Sequence, residues 1–234
     1  DKKIGFGLDP NRLYVTCFEG DENAPKDEES AKIWKEIFEK NGVKGNRIFF
    51  LPAKNNWWSA GENGPCGADT EMFYDVSGKY ADGVGLTHEQ FLAADDAQEV
   101  VEIWNDVFME YEKKDGKVIG KLATQNVDTG SGFERVAMVL QGKDNIFDTD
   151  IFTPIIEKIE ELIDVTSITT PIEAFRSKRA KRVIADHIRT SVMLISDGVL
   201  PANSDQGYVL RRLIRRAVRF ADVLNLKTKA LFQL

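Results

Sequence analysis

The sequence predicts an α+β fold, in which an antiparallel sheet with flanking helices is followed by an all-helical region. Short segments with alternating or continuous apolar residues occupy the first half of the chain, as is typical of strands. An Asp-Gly pair joins two of these segments and has the form of a two-residue hairpin turn. Beyond Asp148 the apolar residues recur at helical spacing, and we find no strand pattern there.

The first elements are a strand, a helix and a second strand. Residues 12–18 form an apolar run typical of a strand, and residues 27–41 carry apolar side chains at helical spacing. Gly42 favours the left-handed conformation that ends helices. Residues 47–51 predict another short strand, and residues 55–67, rich in Gly, Asn and Trp, predict a loop.

A hairpin is predicted in the middle of the chain. Residues 100–111 alternate as a strand does, and residues 118–122 form a second strand after the Asp115-Gly116 turn. One face of the first strand is predicted to carry Ile103, Asn105, Val107 and Met109. We therefore expect an antiparallel sheet in this region.

The rear of the chain is predicted to be helical. From Asp128 the apolar period changes to 3.6, which indicates a helix that Gly142 ends. Residues 164–171, rich in Thr and Ser, predict a loop. We place the domain boundary between residues 1–147 and residues 148–234.

Composition narrows the class of protein. The chain has 234 residues, of which 42% are hydrophobic, so it can pack a core. We find neither eighteen consecutive apolar residues nor a signal peptide, which predicts a cytosolic protein without a membrane partner. The two cysteines and two histidines have no spacing typical of zinc ligands, so we expect free thiols and no metal site.

Charge is distributed unevenly. The net charge is −7, yet the stretch from Arg176 to Arg219 holds eleven Lys and Arg against three Asp, a local balance of +8. Such a stretch favours a polyanion partner, and the alternative is a solvated helix surface. On the last helix, Arg211, Arg212, Arg215, Arg216 and Arg219 lie opposite the apolar stripe of Leu210, Ile214, Val218 and Ala221. That arrangement is typical of a helix that follows a nucleic-acid backbone.

The run Asn-Val-Asp-Thr-Gly-Ser-Gly-Phe-Glu-Arg at residues 126–135 suggests an anion site. Gly130 and Gly132 let a ligand approach the backbone, and Arg135 offers a permanently charged fork for phosphate oxygens. The alternative is an ordinary tight turn before a helix, with Asp128 as the helix N-cap.

Four runs carry a family resemblance. DTGSGFERV resembles motif 3 of the class II aminoacyl-tRNA synthetases in its alanyl form, and EIWNDVFMEY is similar to the strand that lines the alanine pocket. KNNWWSAGENGPCGADTEMFYD resembles the family's Gly-Pro-Cys-Gly loop. RVIADHIRTSVMLISDGVLPANSDQGYVLRRLIRRAVRF is similar to the family's helical block. The resemblance covers nearly the whole chain and implies part of the class II antiparallel sheet.

The resemblance implies roles for individual residues. The implied alanine-binding residues are Asp128, Asn105, Val107, Gly130 and Trp58. The implied ATP-binding residues are Glu71, Gly130, Gly132 and Arg135, with Mg²⁺ near Glu71. Asp128 and Arg135 are the implied catalytic residues, because a buried carboxylate would hold the alanine ammonium and Arg135 would contact the ATP phosphates. Gly130 beside the β-branched side chain of Val107 would leave room in the pocket for one methyl group.

The resemblance also implies recognition of tRNA(Ala). Asn203 matches the Asn that contacts the G3:U70 wobble pair of the acceptor stem, and an amide can read base edges in the wide RNA minor groove. Arg211, Arg212, Arg215 and Arg216 are the implied phosphate contacts. We interpret His187, which lies among apolar residues, as a packed helix histidine.

The implied reaction joins alanine to ATP and then to tRNA(Ala), but the chain departs from the family in two respects. Ala68 and Asp69 stand where most members have Pro and then Cys or Ser. No run resembles motifs 1 and 2, which supply the arginine on the α-phosphate, so we expect no normal activation of alanine without that missing N-terminal part. The alternatives are a non-catalytic module that binds the acceptor stem and a paralogue that has lost ATP binding.

Overall fold

The computed structural model describes residues 5–163 and 170–234. These divide into two compact units, Asp1–Ile146 and Phe147–Leu234. Most of the predicted loop at residues 164–171 lies outside the described residues. In the described part of the chain, no helix has the length and apolar character needed to cross a membrane.

The first unit is built on a six-stranded sheet. Its strands are β1 (Leu13–Phe18), β2 (Ile48–Leu51), β3 (Trp57–Ser59), β4 (Gly64–Asp75), β5 (Val100–Lys114) and β6 (Lys117–Ser131). They lie in the order β2-β1-β4-β5-β6, with β3 beside β4. The pairings between these strands are antiparallel except for β1 with β2, which are parallel because a helix connects them and returns the chain to the same end of the sheet.

Helices cover both faces of this sheet. They are α1 (Glu28–Lys40), α2 (Ala53–Asn56), α3 (His88–Asp96) and α4 (Phe133–Leu140). The predicted first helix is confirmed: the Asp27 side chain accepts a hydrogen bond from the Ser30 N–H, and Gly42 has a positive φ of 72° just beyond the helix end. The predicted hairpin turn is also confirmed, since Asp115 and Gly116 both have positive φ, as a type I′ turn requires.

The two faces of the sheet hold separate cores. On one face Phe91 of α3 stacks on Phe49 with ring centroids 4.4 Å apart, beside the buried Tyr14 and Phe73. The opposite face carries Met72, and there α1 and α4 add buried side chains such as Phe38 and Met138. Strand alternation separates the two sets, because adjacent residues such as Met72 and Phe73 point to opposite faces.

The helix predicted from Asp128 is wrong at its beginning. β6 continues to Ser131, because residues 128–131 pair with β5, and α4 begins only at Phe133. The residue before α4 is Gly132, without a side-chain cap, so the N-cap alternative for Asp128 is also wrong. The predicted end is confirmed, since Gly142 has a φ of 63°.

The loop predicted at residues 55–67 is confirmed only for residues 60–63, which connect β3 to β4. This segment contains the end of α2, all of β3 and the first residues of β4. Trp58 pairs with Gly67, so β3 and the start of β4 form a hairpin, and the Gly and Asn residues make the turn within it.

The predicted face of β5 is wrong at Ile103. Phe73 pairs with Glu102 and Met72 pairs with Trp104, so Ile103 is an extra residue at a β-bulge. Ile103 packs with Met138 in the α4 core, and Glu102 lies on the same face as Phe73. The bulge therefore adds a carboxylate to the face that carries Asn105 and Val107.

The second unit is helical in its described part, as predicted. Its elements are α5 (Thr153–Leu162), α6 (Pro171–Ser196), α7 (Asp205–Val223) and a terminal 3-10 helix (Thr228–Gln233). α6 begins with a capping box between Thr170 and Glu173. Between α6 and α7, Ile184, Leu210 and Ala217 are fully buried, so the two long helices form the core of this unit.

Candidate functional site

Two rows of residues cross the sheet of the first unit side by side. The first row is Asp69, Val107 and Asp128, and the second row is Glu71, Asn105 and Gly130. Cross-strand partners point to the same face, and residues two apart in a strand do so as well. All six residues therefore share one face of the sheet. It is the face of the apolar core around Phe73, which lies two residues beyond Glu71 on β4.

A cavity of about 350 Å³ opens on this face. It is lined by Trp58, Glu102, Asn105, Val107, Asp128, Gly130, Ser131 and Gly132. Every residue of the alanine-binding set implied by the sequence lies in this lining. At Gly130 an added Cβ would meet no atom within 4 Å, so the absence of a side chain leaves open space in the cavity wall.

Asp128 is exposed, which corrects the expectation of a buried carboxylate. β6 is the last strand in the described order of the sheet, so no further described strand shields this side chain. An exposed carboxylate stays hydrated, and its attraction for an ammonium group is weaker than that of a buried one.

A buried hydrogen-bond network lies beside the cavity. Asn56 at the end of α2 donates its Nδ2–H groups to Thr16 Oγ1 at 2.9 Å and to Asp69 Oδ1 at 3.0 Å. Asn56 and Thr16 are fully buried and Asp69 is 2% exposed. The sequence did not identify Asn56 or Thr16, because no local pattern relates residues 16, 56 and 69. Asp69 stood out only as a departure from the family.

Burial changes the acidity of two carboxyl groups in this network. It raises the pKa of Glu71 from 4.5 to about 8, and the nearby Glu102 and Asp69 add to the effect. Burial also raises the pKa of Asp69 to about 6, although hydrogen bonds from Asn56 and Asn105 oppose the shift. Asn105 Nδ2 lies 3.4 Å from Glu71 Oε1. Three carboxyl groups thus lie near one another at one end of the polar face, which is complementary to a cationic ligand.

Arg135 lies next to two residues of the cavity lining, Glu102 and Gly132. In the first turn of α4, its Nη1 donates to Glu102 Oε2 at 2.8 Å and to the Glu102 carbonyl at 3.1 Å. Its side chain is 44% exposed, so the guanidinium can reorient toward another anion without unfolding the helix. The sequence missed Glu102, because strict strand alternation would put it on the other face.

Among residues 5–163 and 170–234, no group of three or more His, Cys, Asp or Glu side chains is arranged to hold a metal ion. Cys17 and Cys66 are both buried and free.

The second unit presents the implied RNA-binding residues on its surface. Asn203 lies in the loop before α7, and its Oδ1 accepts a hydrogen bond from Arg211 Nη1. Arg211, Arg212, Arg215 and Arg216 are exposed. The structure thus brings Asn203 and Arg211 together at the start of α7.

Comparison with known proteins gives the family. Residues 2–234 match the family described as tRNA synthetases class II (A). The chain belongs to this class II tRNA synthetase family. The resemblance found in the sequence is therefore confirmed, and the α+β fold agrees with that of a class II synthetase fragment.

Relatives with the name alanine-tRNA ligase come from several bacteria. The relative from Corynebacterium diphtheriae is 44% identical over 97% of this chain, and the one from Treponema denticola is also 44% identical over 97%. The relative from Rubrobacter xylanophilus is 41% identical over 93% of the chain. This class II synthetase chain spans 24% of the first and third relatives and 36% of the second.

Proposed function

We propose that this chain is the part of an alanine-tRNA ligase that binds alanine and ATP and contacts the acceptor stem of tRNA(Ala). The observation that carries the proposal is the cavity on the sheet. All five residues implied to bind alanine line this one cavity, in a chain that belongs to the class II synthetase family. In the proposed reaction, the alanine carboxylate attacks the α-phosphate of ATP and releases pyrophosphate. The alanyl group then moves from the adenylate to the terminal ribose hydroxyl of the tRNA.

Alanine is proposed to bind above β5 and β6. Asp128 accepts hydrogen bonds from the ammonium group, and the methyl group occupies the open space at Gly130 between Asn105 and Val107. Trp58 forms the rim of the same cavity. A difference of one methylene or hydroxyl group changes binding by only about 1 to 3 kcal/mol, so glycine and serine are weakly rejected.

ATP is proposed to bind beside this cavity. Arg135 leaves Glu102 and pairs with phosphate oxygens, while Gly132 keeps the backbone open to the nucleotide. Mg²⁺ usually binds through one or two carboxylates and the substrate phosphates, so the absence of a three-ligand cluster in the described residues is compatible with it. Glu71 fits as the single protein ligand, because its carboxyl group lies beside Glu102 and Asp69, where a cation would offset the repulsion among the carboxylates. Bound Mg²⁺ would neutralise phosphate charge.

The acceptor stem is proposed to lie along α7. Asn203 would exchange its hydrogen bond with Arg211 for contacts to the G3:U70 pair, and the guanidinium would then be available to a phosphate. Arg212, Arg215 and Arg216 add exposed charge along the same helix.

Exchange of labelled pyrophosphate into ATP in the presence of alanine tests the catalytic proposal. The chain is assayed alone and with the preceding segment of a bacterial relative added as a separate polypeptide. We expect exchange only in the mixture, because the family's α-phosphate arginine precedes these residues. Asp128→Asn should reduce alanine-dependent exchange roughly 10- to 100-fold, since it removes a charge-assisted contact.

The matched control is Asp106→Asn, which changes a carboxylate on the opposite face of β5. Equal losses in both variants would contradict a specific role for Asp128. If the mixture shows no exchange but the chain binds an acceptor-stem hairpin, the non-catalytic RNA-binding alternative replaces the catalytic proposal.

A further inference from the structure

A second cavity of about 410 Å³ lies within the helical unit, and Asn203 is not part of its lining. It is lined by Phe147, Phe175, Lys178, Arg179, Arg182, Val183, Asp186, His187 and Arg216. Except for Arg216, none of these residues belongs to the alanine, ATP or acceptor-stem contacts proposed above. The lining consists mainly of two chemical types, cationic side chains and aromatic or aliphatic side chains.

The cationic side chains come from both long helices. Lys178, Arg179 and Arg182 lie within about one turn of α6, and Arg216 reaches the cavity from α7. Asp186, the single carboxylate in this lining, lies 2.7 Å from His187 Nδ1, which is a hydrogen-bond partner for it. Positive charge therefore predominates, and the cavity should attract an anion such as a phosphate group.

The apolar part of the lining offers flat surfaces. Phe175 is 68% exposed, so its aromatic side chain is accessible to a ligand at the cavity. The Arg182 guanidinium lies 5.4 Å from the centre of the Phe147 ring. Aromatic rings and guanidinium planes are the surfaces on which unpaired RNA bases stack. A base within a duplex is already stacked on its neighbours and cannot enter such a cavity.

We propose that this cavity binds one unpaired nucleotide of an RNA, with the base against Phe175 and the phosphate near Lys178, Arg179 and Arg182. The inference rests on the proposed RNA-binding function and deepens it. α7 would contact the base-paired stem of the RNA, while the cavity beside α6 would hold a nucleotide that is not part of the RNA duplex. An acidic peptide would match the charge, but it would not use the stacking surfaces of Phe175 and the guanidinium groups.

Fluorescence anisotropy with two fluorescein-labelled RNA probes tests the proposal on the full chain. One probe is a blunt hairpin that carries the G3:U70 stem, and the other is the same hairpin with a short single-stranded 3′ extension. Phe175→Ala should weaken binding of the extended hairpin about tenfold, at the lower end of the effect of one stacked base, and leave the blunt hairpin unchanged. Ile172→Ala is the matched control, because Ile172 is an exposed apolar residue of α6 outside the cavity lining.

A second variant tests the phosphate contact. Arg179→Ala keeps the aromatic surface, and it should weaken binding of the extended hairpin and reduce its salt dependence by one phosphate contact. Both Phe175 and Arg179 are exposed, so neither change should unfold the chain. Circular dichroism checks that the helices remain.

The outcomes separate this inference from the function on which it rests. If Phe175→Ala and Arg179→Ala bind both probes as the wild type does, while Arg215→Ala weakens both, the cavity proposal is overturned and stem binding stands. If the wild type binds neither probe, the RNA-binding function itself fails. Binding of a Glu-rich peptide that Phe175→Ala abolishes, without any effect on RNA, would assign the cavity to a protein partner and overturn the proposal.

Discussion

The sheet unit and the helical unit arrange their candidate functional residues in different ways. In the sheet unit, Asp69, Val107 and Asp128 meet because three strands pair in one register. In the helical unit, Arg211 and Arg215 share a surface because they lie four residues apart on one helix. The first arrangement depends on long-range pairing and the second on local periodicity. Mutations at the strand contacts of the sheet unit should therefore affect folding, whereas mutations of the exposed helix residues should affect binding.

Among the predicted changes, Gly67→Ala in the sheet should have the largest effect, a loss of stability. A Cβ at Gly67 would lie 1.8 Å from the Phe108 carbonyl oxygen, so β4 and β5 would have to separate locally. We expect a loss of more than about 3 kcal/mol in the free energy of unfolding, measured by urea denaturation. Gly120→Ala is the control, because a Cβ there meets no atom within 4 Å. Similar losses in the two variants would refute the close-contact explanation.

Glu71→Gln should have a smaller effect, on how the free energy of unfolding depends on pH. The folded state keeps Glu71 protonated up to about pH 8, whereas the unfolded chain ionises it near pH 4.5. The wild type should therefore lose stability as the pH rises between these values, and the variant should lose on the order of 2 kcal/mol less. Urea unfolding at pH 5 and pH 8 measures the difference. Glu36→Gln on α1 controls for the removal of an exposed carboxylate, and a pH dependence of Glu71→Gln equal to that of the wild type would contradict the buried proton.

Asn203→Ala tests base recognition in the helical unit. We expect weaker binding of a G3:U70 hairpin by about 1 to 2 kcal/mol and a reduced preference over G3:C70, because the base contact is lost. Stability should remain the same, since Asn203 is exposed. Fluorescence anisotropy with both hairpins provides the measurement. Equal losses for the two hairpins would mean that Asn203 does not read bases.

The smallest effect is expected from Arg215→Ala. Loss of one phosphate contact should weaken both hairpins alike by less than about 1 kcal/mol and reduce the salt slope by about 1. A titration of salt concentration measures the slope. An unchanged slope would indicate that Arg215 is only solvated, and stability of the sheet unit should not change in either case.

The sequence predicted local features well. The first helix, the left-handed Gly42 and the Asp115-Gly116 turn each depend on nearby residues, and all are found in the structure. The helical character of the rear follows from apolar spacing that each helix carries within itself. The family runs identified most of the cavity residues, because these runs are long and specific.

The sequence failed where distant strands decide the conformation. Residues 128–131 have the appearance of a turn before a helix, but pairing with β5 extends them into a strand. Strict strand alternation puts Ile103 on the same face as Asn105. The β-bulge instead turns Ile103 into the core beneath α4 and brings Glu102 to the cavity. A β-bulge has no reliable sequence signature, since it depends on the partner strand.

By itself, the sequence determined the fold class, the family and the identity of most cavity residues, because these follow from local periodicity and from long motifs. The tertiary structure alone decided which side chains share a face, which carboxyl groups are buried and which are hydrated. Asp128 is exposed because β6 ends the described sheet, while Asp69 is buried because Asn56 and Thr16 meet there from other segments. Burial and pKa depend on neighbours that are distant along the chain, and local sequence carries no information about those neighbours.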